Sequence, residues 1–337
     1  MRFRFKPTAA QRAALRARLA ALDQPAHLVE LLRPSLSAGF EPCGATANLV
    51  SAHADRFVVR ALVRSTRGEE RTYALKAYSD DFGSRVWAHA GSLSPHVEPD
   101  RDGPALPTRY IPDERLLVFP WIEGAFLSDV SDEQQPELLR RAARLAADLH
   151  RLAIVPEQPT GVDVVVADTR GRCDRMRRRW PATAALVEPL MAIVEEAATC
   201  LDPTAPALVH GDLATGQFLW TGARLVLLDL DMFGYTDPAY DAGHFLAQLE
   251  RRCLREGVEP TVAGQWLAAF RDAYLEAMPP PRVSPRNLWF YHGITLVRKI
   301  YTLHRKQPPG WERLVVHLIA QARTALQEAM PAAMERR

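Results

Sequence analysis

The sequence predicts an α+β protein with a small β-rich N-terminal lobe and a larger helical C-terminal lobe. Three observations lead there. The segments with strand-like alternation, Phe57–Val63 and Thr72–Tyr78, lie in the first third of the chain. Beyond Pro120-Trp-Ile-Glu-Gly124 the apolar period becomes helical and stays so. The 337 residues also exceed what one ordinary core holds and suggest about two domains. Strands first and helices after is the order of a segregated α+β architecture. The boundary is placed so that 1–120 form the N-terminal lobe and 121–337 the C-terminal lobe.

Element by element, Thr8-x-x-Gln11 forms a capping box that opens an amphipathic helix ending near Leu22, with helical character to Pro34. Residues 35–56 are mixed. The runs 57–63 and 72–78 read as a hairpin, with Tyr73, Leu75 and Ala77 on one face and Ala74, Lys76 and Tyr78 on the other. A short helix over 80–92 and a Pro/Gly-rich loop over 93–107 lead to a second hairpin, 109–111 with 115–119. Helices are then expected at 131–153, behind a Ser131-x-x-Gln134 cap, and at 172–200, 240–256, 260–278, 286–304 and 311–330.

Composition narrows the function classes. Hydrophobic content of 47%, charged content of 24% and a net charge of +2 describe a globular enzyme or binding protein, with no field advertising nucleic acid. The four cysteines form no Cys-x-x-Cys pair and suit a reducing cytoplasm. No apolar run reaches membrane-span length, and the N-terminus lacks a secretory h-region, so a cytoplasmic location and no membrane partner are expected. Walker A, dinucleotide-fold, serine-hydrolase elbow and His-Glu-x-x-His signatures are all absent. Only four of the 42 basic residues are Lys, which makes a Lys at a special position less accidental.

The chemistry concentrates in Val209-His-Gly-Asp-Leu-Ala-Thr-Gly-Gln-Phe-Leu-Trp220 and Ala-Arg-Leu-Val-Leu-Leu-Asp-Leu-Asp231. Strands at 218–220 and 224–228 around a tight Thr221-Gly222 turn would pair position 217 with 226. Asp229 then stands beside the loop that carries Asp212, so that Asp212, Gln217 and Asp229 converge. Phosphoryl transfer uses such a set: one carboxylate for the attacking hydroxyl's proton, and a second carboxylate with a neutral oxygen for Mg²⁺.

His210-Gly-Asp212-x-x-x-x-Gln217, followed by Asp229 and by Asp237-Pro-x-x-Asp241, resembles the catalytic and metal motifs of the aminoglycoside phosphotransferase family. Tyr73-Ala-Leu-Lys76 resembles that family's phosphate-lysine strand, and Leu117–Gly124 its hinge. The resemblance implies a protein-kinase-like fold and ATP·Mg²⁺-dependent phosphorylation of a hydroxyl on a small molecule, such as a sugar or natural-product alcohol. It also implies roles. Asp212 would be the catalytic base, and Gln217 and Asp229 the Mg²⁺ ligands. Lys76 would hold the ATP phosphates, and backbone groups near Pro120, Trp121 and Ile122 would meet the adenine. His210 and Asp241 would brace the loop, and Asp231 would be a supporting carboxylate or a solvated neighbour.

Three departures stand out. Gln217 replaces the usual Asn, as in maltokinase-like members. No phosphate-covering Gly loop is evident beyond Gly39 and Gly44. The helix after Lys76 has no Glu, since Ala88 and His89 fall where it would be. These features also suit a pseudokinase-like nucleotide-binding protein without turnover, and a metal phosphohydrolase is a third reading. The Arg-rich stretches at 170–179 and 298–306 read as solvated helix faces, or as a surface for an anionic acceptor, an RNA or a partner protein. The absence of acid from Pro279 through Gly310 favours a neutral or anionic acceptor over an aminoglycoside. Trp121, Trp180, Trp289, Tyr291 and Trp311 read as core or interface packing residues, or as the lining of an acceptor pocket.

Overall fold

The computed structural model describes residues 6–331. The chain divides into two compact units. One runs through Gly124 and takes in the returning segment Leu228–Asp231; the other comprises Ala125–Leu227 and the chain from Met232 onward.

The first unit opens with α1 (Ala9–Ala21), whose Thr8/Gln11 capping box is formed in both directions, and α2 (Pro25–Leu32). Its sheet contains β1 (Pro42–Ala52), β2 (Arg56–Ser65), β3 (Glu70–Tyr78), β5 (Arg109–Ile111) and β6 (Leu116–Pro120) in the order β1-β2-β3-β6-β5. Helix α3 (Phe82–Leu93) follows β3, and a two-residue strand, β4, spans Gly103–Pro104. All pairings in the five-stranded sheet are antiparallel. One face of β3, Leu75 and Ala77, packs with Val59, Ala61, Leu28 and Leu32 in an apolar core, which leaves Lys76 and Tyr78 on the other face. Strand β1 falls in the stretch read as mixed; its Pro-Cys-Gly-Ala-Thr-Ala-Asn sequence lacks the alternation that reveals a strand. Its bulge at Leu49/Ser51 leads into a His53–Asp55 turn that contains no glycine.

The second unit is mainly helical: α4 (Gln135–Arg151), α5 (Val162–Arg179), α6 (Pro181–Ala198), α7 (Ala239–Glu256), α8 (Pro260–Ala277), α9 (Pro285–Lys306) and α10 (Trp311–Glu328). Two sequence expectations are corrected. Helix α4 starts four residues later than its Ser131 signal, because Pro136 sits in the first turn, where a missing N–H costs nothing. The helix expected over 172–200 is two helices, broken at Trp180-Pro181. Short antiparallel pairs complete the unit: β7 (Ala125–Phe126) with β9 (Phe218–Trp220), β9 with β10 (Leu225–Leu227), and β8 (Ala207–Val209) with β11 (Gly234–Thr236). The core is aromatic, with Phe245 and Phe270 stacked at 3.9 Å between ring centres. Among the described residues no helix is long and apolar enough to cross a membrane.

Candidate active site

Lys76 leaves the sheet on the face away from the apolar core and is buried. Its Nζ donates to Asp229 Oδ1 at 2.5 Å and to Asp231 Oδ1 at 2.7 Å. Asp231 also accepts from Tyr78 Oη at 2.7 Å, and Arg56 Nε stands 3.8 Å from its other oxygen. The helix after Lys76 supplies no acid, as its sequence shows, and the anchoring carboxylates come instead from the segment Leu228–Asp231. Asp231, whose place the sequence left open, is therefore a buried partner of Lys76 rather than a solvated neighbour. Asp229 adopts a left-handed backbone with φ of 66°. That conformation is uncommon outside glycine, though Asp and Asn enter it most readily, and it turns the carboxylate at the end of the chain's return.

At the hinge-like segment, Pro120 ends β6 opposite Tyr73 and has no N–H. The Trp121 N–H donates to Thr72 O at 3.1 Å, and the Arg60 guanidinium lies 4.9 Å above the Trp121 ring. Ile122 follows as the next backbone donor.

In the helical unit the loop His210-Gly211-Asp212 follows β8 and is pinned from α7. Asp241, fully buried, accepts the His210 N–H at 2.6 Å and the Gly211 N–H at 2.8 Å, and His150 Nε2 lies 3.1 Å from it. Burial pushes the Asp241 carboxyl up, but the bond to His150 and the backbone donors outweigh it and hold the group below its ordinary value. His150 in turn meets Tyr274 Oη at 2.8 Å, and that hydroxyl donates to Pro238 O. Gly211 has φ of 83°, and a Cβ there would lie 2.1 Å from Met232 O, so no side chain fits. The Asp212 N–H donates to His210 Nδ1 at 3.4 Å.

The Asp212 side chain is half exposed. Burial opposes its ionisation, yet the contact with His244 Nε2 at 3.2 Å and the charge of Lys299 hold its carboxyl below the ordinary value. Burial and the Lys299 charge push His244 itself down to about 4. At neutral pH His244 is therefore uncharged; its Nε2 lies 3.2 Å from both Asp212 Oδ1 and the Gln248 amide nitrogen, and its Nδ1 is buried without a hydrogen-bond partner. Gln217 ends the turn Thr215–Gln217 that leads into β9. The β9–β10 register pairs Phe218 with Leu227, two residues away from the expected pairing of 217 with 226. Thr221 Oγ1 accepts the N–H groups of both Ala223 and Arg224, which widens the expected two-residue turn.

His244 contacts Asp212, and the charge of Lys299 acts on it, in ways the motifs did not indicate. Lys299 and its neighbour Arg298 are not on a solvated face: Arg298 is 9% exposed and Lys299 is partly buried. In the Arg170–Arg179 run, in contrast, three of the six arginines are matched by carboxylates inside the unit. Arg170 pairs with Glu188 and Glu195, Arg172 with Asp168, and Arg177 with Asp174 and Glu188. The aromatic residues singled out in the sequence pack as expected: Trp180 against Tyr301 and His304, Trp289 against His292, Trp311 against His304, and Tyr291 against Tyr240.

A sheet unit with a buried Lys–Asp–Asp cluster, and a helical unit with a pinned His-Gly-Asp loop, define an α+β protein of the protein-kinase-like kind. Residues 69–283 match the model of the phosphotransferase enzyme family, and the chain belongs to that family. It is a phosphotransferase. No curated protein matches it in sequence. Among solved structures it is similar to a choline/ethanolamine kinase family protein from Mesorhizobium loti, with 15% identity, 95% and 96% of the two chains covered and a TM-score of 0.54. It is also similar to the choline kinase LicA from Streptococcus pneumoniae, with 12% identity, 89% and 99% covered and a TM-score of 0.55. A thermostable mutant of the aminoglycoside phosphotransferase APH(4)-Ia, in a ternary complex with ADP and hygromycin B, matches with 14% identity, 91% and 99% covered and a TM-score of 0.60. These likenesses are likenesses of fold.

Proposed function

We propose that the protein transfers the γ-phosphate of ATP to a hydroxyl of a small molecule, with Mg²⁺ as cofactor. The observation that carries this reading is the meeting of Lys76 with Asp229 at 2.5 Å. The two residues are 153 apart and belong to separate motifs, each of which points to nucleotide phosphate chemistry. Nucleotides in similar structures, ADP in one and GDP in another, support a nucleotide donor.

In this reading Lys76 exchanges its carboxylate contacts for the ATP phosphates, and the Ile122 N–H and nearby hinge carbonyls meet the base. Among the described residues no three His, Cys, Asp or Glu side chains gather into a metal site. Mg²⁺ beside a nucleotide takes one or two protein carboxylates and completes its shell with water and phosphate. Asp229 and the Gln217 amide are hard oxygen donors of the type it needs. When bound, the ion would offset negative charge on the phosphate oxygens. The acceptor oxygen bonds to the γ-phosphorus as the bond from that phosphorus to the bridging oxygen breaks, and ADP leaves. The hydroxyl proton passes to Asp212, which is held ionised and half open to solvent, with His244 orienting it. Asp241 keeps the loop in place and does not react.

The test is thermal unfolding with ATP, Mg²⁺ and both together. Ligand at 100 times its Kd should add about 2.7 kcal/mol of stability. ATP with Mg²⁺ should stabilise the wild type more than ATP alone, and Asp229→Asn should lose that increment. A wild type indifferent to nucleotide would contradict the reading.

A further inference from the structure

The charge around Asp212 is the reverse of what a cationic acceptor would need. Helices α7 and α9 are pressed together at Gly243, where a Cβ would lie 2.5 Å from the His292 backbone nitrogen. The close approach brings a stripe of α7, containing Tyr240, His244 and Arg251, up to Arg298 and Lys299 of α9. Arg298 Nη1 donates to Tyr240 Oη at 3.2 Å. Lys299 is near enough for its charge to act on both Asp212 and His244.

Four cations gather there: Arg298 and Arg172 share Asp168, Lys299 is the next residue along α9, and Arg251 meets Gln248, whose amide lies 3.2 Å from His244; the charges of all three arginines act on Lys299. Two carboxylates answer them. Asp168 lies 3.2 Å from Arg298 and 2.8 Å from Arg172, so it serves two guanidinium groups at once. Asp212 is the other, and it acts on Lys299 from beyond contact distance. Two positive charges are left in excess when Lys299 is protonated. Among the described residues Arg251 has the neutral Gln248 as its side-chain partner, at 3.2 Å, and its Nε is buried without one. The Nε of Arg298, on a side chain nine-tenths buried, is likewise unpartnered. Among the described residues no carboxylate is within ion-pair distance of Lys299 or Arg251. Lys299 and Arg251 are partly buried and still reachable from solvent, so an anion entering beside Asp212 would meet both and complete the arrangement.

We infer that the acceptor carries a carboxylate or phosphate group beside its reactive hydroxyl, held by Lys299 and Arg251 while Asp212 faces the hydroxyl. The inference rests on Asp212 being the base of a phosphotransferase. It sets this chain apart from relatives whose names specify cationic acceptors, and it gives Lys299 and Arg251 a role as charge selectors.

Two arms test it on the full chain. In the first, inorganic phosphate and D-glycerate are titrated at matched ionic strength, with glycerol and choline as the neutral and cationic counterparts. At least one anion should bind, and which one does separates phosphate from carboxylate recognition. Lys299→Met and Arg251→Met should each weaken it about 10- to 100-fold. Lys299→Gln guards against a packing effect of the Met side chain. Lys76→Met should leave the anion bound, which separates this site from the nucleotide phosphates. In the second arm, ATP consumption is compared for glycerol, D-glycerate and glycerol 3-phosphate; an anionic member should have the lowest KM, and the preference should vanish in Lys299→Met. Absence of anion binding, equal binding of glycerol or choline, survival of binding in the Lys299 and Arg251 variants, or its loss in Lys76→Met would overturn the inference. Stabilisation by ATP·Mg²⁺, measured on the same samples, keeps the two readings apart. If it persists while anion binding fails, only this inference falls; if the wild type lacks it, the phosphotransfer reading falls.

Discussion

Replacing Asp231 by Asn removes one negative charge from the Lys76 cluster while keeping the shape of the side chain. The side chains of Lys76 and Asp231 are only 11% and 4% exposed, so solvent screens their interaction little. Two unit charges about 3–4 Å apart at an effective dielectric of about 20 attract by about 4–5 kcal/mol before desolvation is counted. The net effect is smaller. Asp229 still neutralises the ammonium, and Tyr78 Oη, 2.7 Å from the Asp231 oxygen, can go on donating to the Asn oxygen. A charged hydrogen bond contributes about 1.5–3 kcal/mol, which sets the expected loss of stability for Asp231→Asn. Lys76→Met is more severe, about 3–5 kcal/mol, because two carboxylates then share a site without the ammonium that joins them. The double variant should be no less stable than Lys76→Met alone, since Asp231→Asn relieves the repulsion that Lys76→Met creates. Denaturant unfolding of the four proteins, followed by circular dichroism, yields the coupling energy, expected at about 1–3 kcal/mol. Additivity within about 0.5 kcal/mol would refute the claim that Asp231 anchors Lys76.

Three further outcomes follow from the helical unit. Asp241→Asn leaves one of two backbone N–H groups facing an amide NH₂ and strips His150 of its carboxylate; it should cost about 3–5 kcal/mol, visible as a lower melting temperature and reduced turnover. His244, buried and held down at about 4 against 6.5 when unfolded, leaves the unfolded chain binding more protons between those values. Stability should therefore fall as pH drops from about 6.5 to 4, by on the order of 3 kcal/mol, and His244→Gln should flatten that slope in pH-dependent melts. Burial pushes Lys299 down to about 7, with Asp212 opposing and Arg251, Arg298 and Arg172 assisting. Its protonated, anion-holding form is lost as pH rises, so kcat/KM for an anionic acceptor should decline above about pH 7, and Lys299→Arg should abolish the decline.

Much of this is legible in the sequence, for identifiable reasons. The hairpin carrying Lys76 alternates cleanly, and the capping box of Thr8 and Gln11 is local, so both follow from spacing alone. Strand β1 does not, because its small and polar residues carry no period, and only its pairing to β2 makes it a strand. The break at Trp180-Pro181 was hidden by helical sequence on both sides. The pairing of 218 with 227 was displaced because Thr221 organises a longer turn than its Thr-Gly dipeptide suggests. Motif spacing picks out Asp212, Asp229 and Asp241, which lie on one continuous stretch of chain. It says nothing of His244 and Lys299, which approach Asp212 through helix packing. The acid-free helix after Lys76 looked like a missing partner, and the partner proved to be Asp231, 155 residues further on.

Asp212 is the residue on which phosphotransfer depends most directly. The measurement is product formation from ATP·Mg²⁺ with a panel of hydroxyl acceptors, neutral and anionic, using wild type and Asp212→Asn, with nucleotide-dependent stabilisation recorded on both. The expected result is a phosphorylated product from the wild type, a loss of about 10²- to 10⁴-fold in Asp212→Asn, and unchanged stabilisation by ATP in that variant. Turnover in Asp212→Asn equal to the wild type would contradict it.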